Sequence, residues 1–481
     1  MKKVLLGLSV MATSASLLAS NVSIIDSGSD FRNEKIKSQA WLNSKESPNG
    51  QDDEKNGKID DLFGWNFSAN NNKVYDPTGL EKLSPAIYTF MEVVARIELK
   101  AMTAEDKAFI EKVKALPKDK QEKFFNQANW YGQHAHGTHV AGIVANNKFA
   151  KLSVEKVFPD NKTPDAPDAT FIRQFGFTGK AFDLIKNIFQ MATLRFNKDA
   201  IYKQIGDEEA KLFGDVASYA KEKAFVVGNM SLGLNVASVA HEILMKTDLM
   251  YAARFMTTQK KDMAKLSKES QKGFAAMKAS GNAWLNQAPG MLFVIAAAND
   301  AQDNDALPVY PANLETNNSI TVAATNGYKE LASFSDYGAN TVHVAAPGVA
   351  VMSSVPHATD RTKMLPMSGT SMAAPFVSMV ASGVLDVNPS LTPVQVKAIL
   401  MGTVDVKAWL KGKVRTSGIV NAARAVEAAK LTKSMSLEAA VAQARTHVGD
   451  LPEVGAVVPG TRGVRVPVTA DLSAIARKFA F

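Results

Sequence analysis

The chain predicts an α/β fold, a doubly wound parallel sheet carrying long, mainly helical insertions. Two observations carry this expectation. Short continuous apolar runs recur: NVSIIDSGSD (21–30), AFVVGNMSLG (224–233), MLFVIAAAND (291–300), SITVAAT (319–325) and TVHVAAPG (341–348). Between them lie long stretches rich in Ala, Lys, Glu, Leu and Met at helical spacing. Strands apolar on both faces that alternate with helices belong to a parallel sheet covered on both sides. The stretches near 97–129, 181–223 and 234–288 are longer than simple crossovers and read as insertions on a common core.

Composition narrows the chemistry. The 481 residues are 46% hydrophobic and 21% charged, a globular balance with enough apolar material for a large core. Cysteine is absent, which removes disulfides, thiolate zinc sites and a cysteine nucleophile. The net charge of +8 is spread rather than clustered. In AEDKAFIEKVKALPKDKQEKF (104–124) basic and acidic residues interleave, as on solvated helix faces, so nucleic acid is not an expected partner.

At the N-terminus, Lys2 and Lys3 precede an apolar run from Val4 to about Ala19 that ends in ASLLAS. This is the layout of a secretory signal peptide over residues 1–20, and it predicts a secreted or periplasmic protein. The alternative is a first strand or helix of the mature fold. No other stretch reads as the ~18 apolar residues of a membrane span. Near the other end, Thr392-Pro393-Val394-Gln395 is a helix start with cap, first-position proline and reach-back glutamine. GIVNAARAVEAAK (418–430) reads as a further helix. The tail 431–481, with VVPGTRGVRVPV, reads as a small C-terminal appendage of extended segments and turns.

Four segments hold residues capable of chemistry. HAHGTHVAGIVA (134–145) has three readings: a metal site from His134, His136 and His139, a structural run, or a general base at a helix start where Gly137 admits a substrate. The HExxH spacing of a zinc peptidase is absent, since Met245 follows His241-Glu242 where a second histidine belongs. In SGTSMAAPFVSMVASGVL (368–385), Ser371 opens an apolar helix at the positive end of its dipole, with an unpaired backbone N–H beside it. That suits a nucleophile next to an oxyanion, and equally an ordinary helix cap. Asp26 and Asn299, each at a strand end, are by themselves ordinary turn residues.

Together these segments are not ordinary. IIDSGSD, HGTHVAG, NMSLG, AAAND, SFSDYG, VAAPG and GTSMAAP, in that order, resemble the subtilisin-like serine peptidases (subtilases). The resemblance implies a subtilisin-type peptidase domain over about 21–430, with the site at the carboxyl ends of the strands. It implies a serine endopeptidase acting through an acyl-enzyme on protein or peptide substrates, with no cofactor required for catalysis. By that resemblance His136 takes the proton of Ser371, Asp26 orients the imidazole, and the Asn299 amide with the Ser371 N–H stabilises the oxyanion. His139 is then structural. Ser231, Leu232 and Gly233 resemble the strand that pairs with an extended substrate, which implies broad specificity. Ala296, Ala297 and Ala298 would form the opposite wall of the specificity pocket.

The chain departs from the family at several places. Ala298 stands where subtilases commonly have glycine, and Val309 where many have glycine at the pocket base. Both add volume and predict a shallow pocket for small or medium apolar side chains. Phe376 replaces a histidine outside the triad. Only about six residues separate the expected signal cleavage from Asp26, where most secreted relatives carry a propeptide. Either the protein folds without one, or the start given is too late, or residues 1–20 stay in the fold. QDDEKNGKIDDLFGWNF (51–67) resembles an insertion of some subtilases. In it Asp52, Glu54, Asn56 and Asp60 have the alternating oxygen spacing of a structural calcium loop, although Phe63 takes the twelfth-position glutamate. A solvated acidic loop is the alternative. Two rival functions remain at this stage: an exported non-enzymatic binding protein on the same scaffold, and an α/β-hydrolase-type esterase using His447 as base.

Overall fold

The computed structural model describes residues 20–159, 164 and 197–453. The signal-peptide expectation for residues 1–20 therefore lies outside the description except at Ser20, as do the first part of the 181–223 insertion and the VVPGTRGVRVPV tail.

The chain opens with β1 (Asn21–Asp26), the short helix α1 (Glu34–Lys37) and β2 (Gly64–Asn66). Helices α2 (Pro85–Glu98), α3 (Ala104–Lys114) and α4 (Lys118–Val144) lead to β3 (Lys151–Lys156). Helix α5 (Lys198–Glu222) precedes β4 (Val227–Met230) and β5 (Leu234–Asn235), followed by α6 (Val236–Thr247), α7 (Leu249–Thr258) and α8 (Met263–Leu285). Strands β6 (Leu292–Ala296), β7 (Val309–Tyr310), β8 (Ser319–Asn326), β9 (Glu330–Leu331), β10 (Val344–Pro347), β11 (Val351–Ser354) and β12 (Met364–Met367) then run to α9 (Thr370–Val387). The described chain closes with α10 (Pro393–Gly402), β13 (Asp405–Val406), β14 (Gly418–Ile419), α11 (Ala422–Leu431) and α12 (Leu437–His447).

The main sheet has the order β13-β14-β10-β8-β6-β4-β1-β3-β2, with β9 on β8. Every pairing from β14 to β2 is parallel, while β13 and β9 attach antiparallel. Alternation along the strands feeds two cores. Val22, Ile24, Val227, Leu292 and Val294 face one core with α4, α9, α10 and α11. Ile25, Met230, Phe293 and Ile295 face the other, with α5 and α8. Each fully buried aliphatic side chain contributes roughly 1.5–3 kcal/mol, so both faces are driven to be covered. The predicted doubly wound α/β sheet is the fold observed.

The chain steps from β1 towards β3 and β2 in one direction, and from β4 through β6, β8 and β10 in the other. The order reverses between β1 and β4, which opens a crevice beyond their carboxyl ends. Asp26 ends β1, Ser231 follows β4, and Ala297–Asn299 follows β6.

Several local expectations change in the folded chain. α9 is, among the described residues, the one helix long and apolar enough to cross a membrane, so the reading that no second stretch qualifies is corrected; 72% of it is buried as the central core helix. The helical region before β3 begins at Pro85, upstream of the expected 97, because Ser84 caps α2 with Pro85 in its first turn. The Thr392 start of α10 is a full capping box with Gln395, as the sequence predicted. α12 buries Ala440 and Ala444, and Ala444 joins the main core, so this part of 431–481 is packed rather than appended.

Candidate active site

The site begins with a buried carboxylate. Asp26 is fully buried at the end of β1, and its Oδ1 lies 2.7 Å from His136 Nδ1. The same oxygen accepts from the Ser27 N–H at 2.7 Å. His136 sits well inside α4 rather than at a helix start, which corrects the sequence reading. The helix extends upstream because Phe124, Ala128 and Tyr131 continue its apolar face. Gly137 is required for packing rather than for admitting a substrate: a Cβ there would lie 2.3 Å from the Gly28 carbonyl oxygen. Burial opposes protonation of His136, but the Asp26 carboxylate outweighs it and raises the imidazole above its ordinary value. With Nδ1 directed at Asp26, Nε2 is left for another partner.

The three histidines do not form a metal site. His134 directs Nε2 at the Tyr75 hydroxyl at 2.7 Å and stacks on Trp130, and burial pushes it down to about 3. His139 is fully buried, with Nε2 3.0 Å from the carbonyls of both Val351 and Leu365, and burial pushes it to about 3. A neutral His139 thus ties α4 to the β11–β12 hairpin.

Ser371 is the second residue of α9, behind Gly369 as N-cap. Its hydroxyl donates to the Ser231 carbonyl at 3.2 Å. The Ser231 hydroxyl in turn donates to the Ser371 carbonyl at 2.9 Å, so the two residues grip each other across β4 and α9. Asn299 is exposed, with Oδ1 accepting from the Thr370 N–H at 2.8 Å and the Thr370 hydroxyl at 3.0 Å. With its oxygen so committed, its Nδ2 is available to a ligand. A Cβ placed on Gly369 would lie 3.5 Å from both Asn299 Nδ2 and Ser371 N. Two N–H donors therefore border one small space, kept open by glycine.

The remaining predicted residues surround this space. Ser231–Gly233 has no strand partner among the described residues, and β5 directly after it pairs antiparallel with β7. Leu232 is buried in the α5/α8 core. Ala296 and Ala297 bury their side chains in two different cores, leaving their backbone as what a ligand can meet. Ala298 is half-buried with φ +95°, a left-handed conformation that favours glycine. Val309 is buried, and a Cβ on Gly233 would come within 3.0 Å of its Cγ1.

The four proposed calcium ligands do not converge. Asp52 accepts from the Asn56 and Gly57 N–H groups, and Asp60 accepts from those of Asn49 and Gly50. The Asn56 amide donates to Glu222 at 3.0 Å. Glu54 is turned instead towards Glu46 and Asp61, the three carboxylates lying within 4.8 Å of one another. Lys223, whose side chain is 4% exposed, bonds Glu54 there and stands 3.4 Å from Asp61. The donor set as folded is thus served by backbone amides and an ammonium, and does not fit a calcium cage.

His447, the base an esterase reading needs, sits on α12 with Glu427 at 2.9 Å and Gln443 at 3.2 Å. It belongs to the surface of that helix.

Sequence reading missed the residues that brace the site. Asn229, fully buried within β4, donates to the Ser231 hydroxyl at 2.9 Å and accepts from the Ser378 hydroxyl of α9 at 2.9 Å. Its signal was a lone amide inside an apolar strand. Asp336 accepts from the Asp300 and Gln302 N–H groups at 2.7 and 3.0 Å, while its own N–H donates to the Ala298 carbonyl at 3.0 Å. Burial, with Asp300 nearby, pushes its carboxyl well above the usual range. Nothing local in SFSDYG reveals that this aspartate clamps the 298–302 loop.

The Asp26–His136 pair and Ser371 at the start of α9 thus stand at the carboxyl side of a sheet switch point, with Ser371 Oγ turned to the Ser231 carbonyl. The chain belongs to the subtilase family, whose model matches residues 19–429. It is similar to the subtilase-type proteinase psp3 of Schizosaccharomyces pombe, 28% identical over 270 residues covering 56% of this chain and 43% of that protein. It is similar also to subtilisin-like protease 1 of Plasmodium berghei, 22% identical over 446 residues, 88% of this chain and 52% of that one. The extracellular basic protease of Dichelobacter nodosus is 38% identical over 146 residues, 29% of this chain and 23% of that protein. The matched regions thus span at most about half the length of these relatives. Subtilases need no cofactor for catalysis.

Proposed function

We propose that the chain is a serine endopeptidase in which Ser371 is the nucleophile, His136 the general base and Asp26 its orienting partner. The 2.7 Å Asp26–His136 contact carries this reading, because it directs Nε2 outward and favours the charged imidazolium that forms during reaction. The Ser371 hydroxyl rotates from the Ser231 carbonyl towards His136 Nε2 when substrate is bound. Its Oγ bonds to the scissile carbonyl carbon, the proton passes to Nε2, and the carbonyl electron pair moves to oxygen. Asn299 Nδ2 and the Ser371 N–H receive that oxyanion. Collapse breaks the C–N bond as His136 protonates the departing amine, and water repeats the sequence to free Ser371.

Substrate is a protein or peptide held extended along Ser231–Gly233, a segment with no strand partner among the described residues to which a strand can add. Ala298 and the contact of Val309 over Gly233 support a shallow pocket taking small or medium apolar side chains. A peptide-library profile led by Phe, Tyr, Lys or Arg at the cleaved residue overturns that preference. The apolar N-terminal run and the extracellular relative support action outside the cytoplasm. For the 46–61 loop, Lys223 rather than a metal ion supplies the balancing charge.

The decisive experiment incubates purified protein with a fluorophosphonate probe and with casein, beside Ser371→Ala. Labelling and cleavage lost in the variant are expected. No labelling and no cleavage by the unaltered protein leaves a binding protein on a subtilase scaffold.

A further inference from the structure

Glu98, the last residue of α2, is 2% exposed and has no role in the reaction as described. Its Oε2 accepts a hydrogen bond from the Ser368 hydroxyl, and its Oε1 has no partner among the described residues. Ser368 lies three residues before the nucleophile. Its Oγ also accepts from the Ala350 N–H at 2.8 Å, where Ala350 holds a left-handed φ of +50°. One residue on, the Gly369 N–H donates to the Gly348 carbonyl at 2.8 Å. Two turns, 348–350 and 368–369, are therefore stitched together directly behind the oxyanion space. A hydroxyl has one proton, and with Glu98 taking it the lone pairs of Ser368 are left facing Ala350 N. Ala95 and Leu99, which flank Glu98, are built into the same core as Val349, Ala350 and Met372.

We infer that Glu98 is a positioning residue for the nucleophile turn: it fixes Ser368, and through Ser368 and Gly369 it sets where Ser371 Oγ and N–H stand. This deepens, and rests on, the peptidase reading above. A displacement of a fraction of an ångström at the nucleophile is enough to lower turnover without altering binding.

The environment favours the neutral carboxyl. Burial pushes Glu98 up to about 8, the Ser368 hydrogen bond opposing this in part, and the carboxyl end of a helix disfavours negative charge. Charged neighbours do not offset this. Arg96 on the same helix is bound to Asp106, Lys100 is exposed, and Lys363 before β12 lies over the Tyr88 ring. From α4, His139 faces the β11–β12 hairpin as a neutral ring. The segments 348–354 and 364–371 contain no charged residue. Because the folded value is raised, the neutral form holds below about pH 8.

The test measures kcat and KM on a chromogenic peptide between pH 6 and 10 for the unaltered protein, Glu98→Gln, Glu98→Ala and Ser368→Ala, with melting temperatures alongside. Glu98→Ala and Ser368→Ala are expected to lower kcat by roughly tenfold with KM within about twofold. Glu98→Gln, which copies the neutral carboxyl in shape, keeps kcat near the starting level. If Glu98→Ala does not fold, Ser368→Ala and Glu98→Gln read the same link. Unchanged kcat in Ser368→Ala, or a kcat loss in Glu98→Gln as deep as in the alanine variants, overturns the role. An unaltered protein that takes no probe is a different failure, that of the peptidase reading itself.

Discussion

Asn299 and Thr370 are joined twice, the Asn299 side-chain oxygen accepting both the N–H and the hydroxyl of Thr370. The Thr370 hydroxyl also accepts from the Ala298 N–H at 3.2 Å, so one side chain orients the amide and secures the backbone before it. Asn299→Ala is expected to lower kcat by about 100- to 1,000-fold at nearly constant KM, the range seen for such a donor in a subtilisin. Thr370→Val keeps the volume but removes the hydroxyl, and a loss of roughly tenfold is expected. Equal losses in the two variants would mean that Thr370 does more than orient the amide. Steady-state kinetics on one peptide distinguish these outcomes.

His136 must be neutral to accept the Ser371 proton, and Asp26 raises its pKa. Activity is therefore expected to rise with pH along an acid limb whose midpoint lies above the ordinary imidazole value of about 6.5. Asp26→Asn moves that midpoint down and lowers kcat by about four orders of magnitude, as in other triads of this type. The same pair contributes stability that is fully present below the unfolded histidine pKa and is lost as pH rises through the folded one. An acid limb unmoved by Asp26→Asn would remove Asp26 from the site.

Ala298 pays in backbone strain for a side chain at a glycine-like position. At φ +95° an L-residue is disfavoured by about 1–2 kcal/mol relative to glycine. Ala298→Gly should raise the melting temperature by about 1–2 °C and admit larger side chains at the cleaved residue. A lower melting temperature would show that the contact of Ala298 with the α5/α8 core outweighs the strain.

Lys223 stands among the carboxylates of Glu54, Asp61 and Glu222. Removing it leaves fully buried Asp61 without its cation and Glu54 with only the exposed Lys45 at 3.3 Å, and Lys223→Met should destabilise the protein by about 3 kcal/mol near pH 7. In the unaltered protein a chelator should leave the melting temperature unchanged. A clear fall on chelation would instead assign a metal ion to the 46–61 loop, as the spacing of Asp52, Glu54, Asn56 and Asp60 first suggested.

Much of the fold was legible because its signals are local. Strands apolar on both faces can only lie in a covered sheet, and Thr392 with Gln395 forms the cap that their spacing requires. The signals that failed were those in which one periodic pattern had two lengths available. HAHGTHVAG looks like a helix start when read alone, yet α4 begins eighteen residues before His136, at Lys118, because the upstream charged stretch also packs aromatic residues. The acidic loop was illegible for a different reason. Alternating oxygens look alike whether they surround a cation or accept from backbone N–H groups, and Lys223, which the fold brings to Glu54 and Asp61, is distant in sequence.

The candidate site divides along the same line. Sequence alone singled out the residues proposed to carry the reactive groups, Asp26, His136, Asn299 and Ser371, because their identities and order stand in short contiguous segments. Only the tertiary structure decided what holds them. The reversal of strand order between β1 and β4 brings Asp26 to α4, and Asn229 reaches Ser231 from within its strand. Thr370 turns Asn299, Asp336 clamps the loop beyond it, and Glu98 meets Ser368 across 270 residues of chain. Such partners are chosen by burial and by the need to satisfy each buried polar atom, conditions that exist only once the chain has folded.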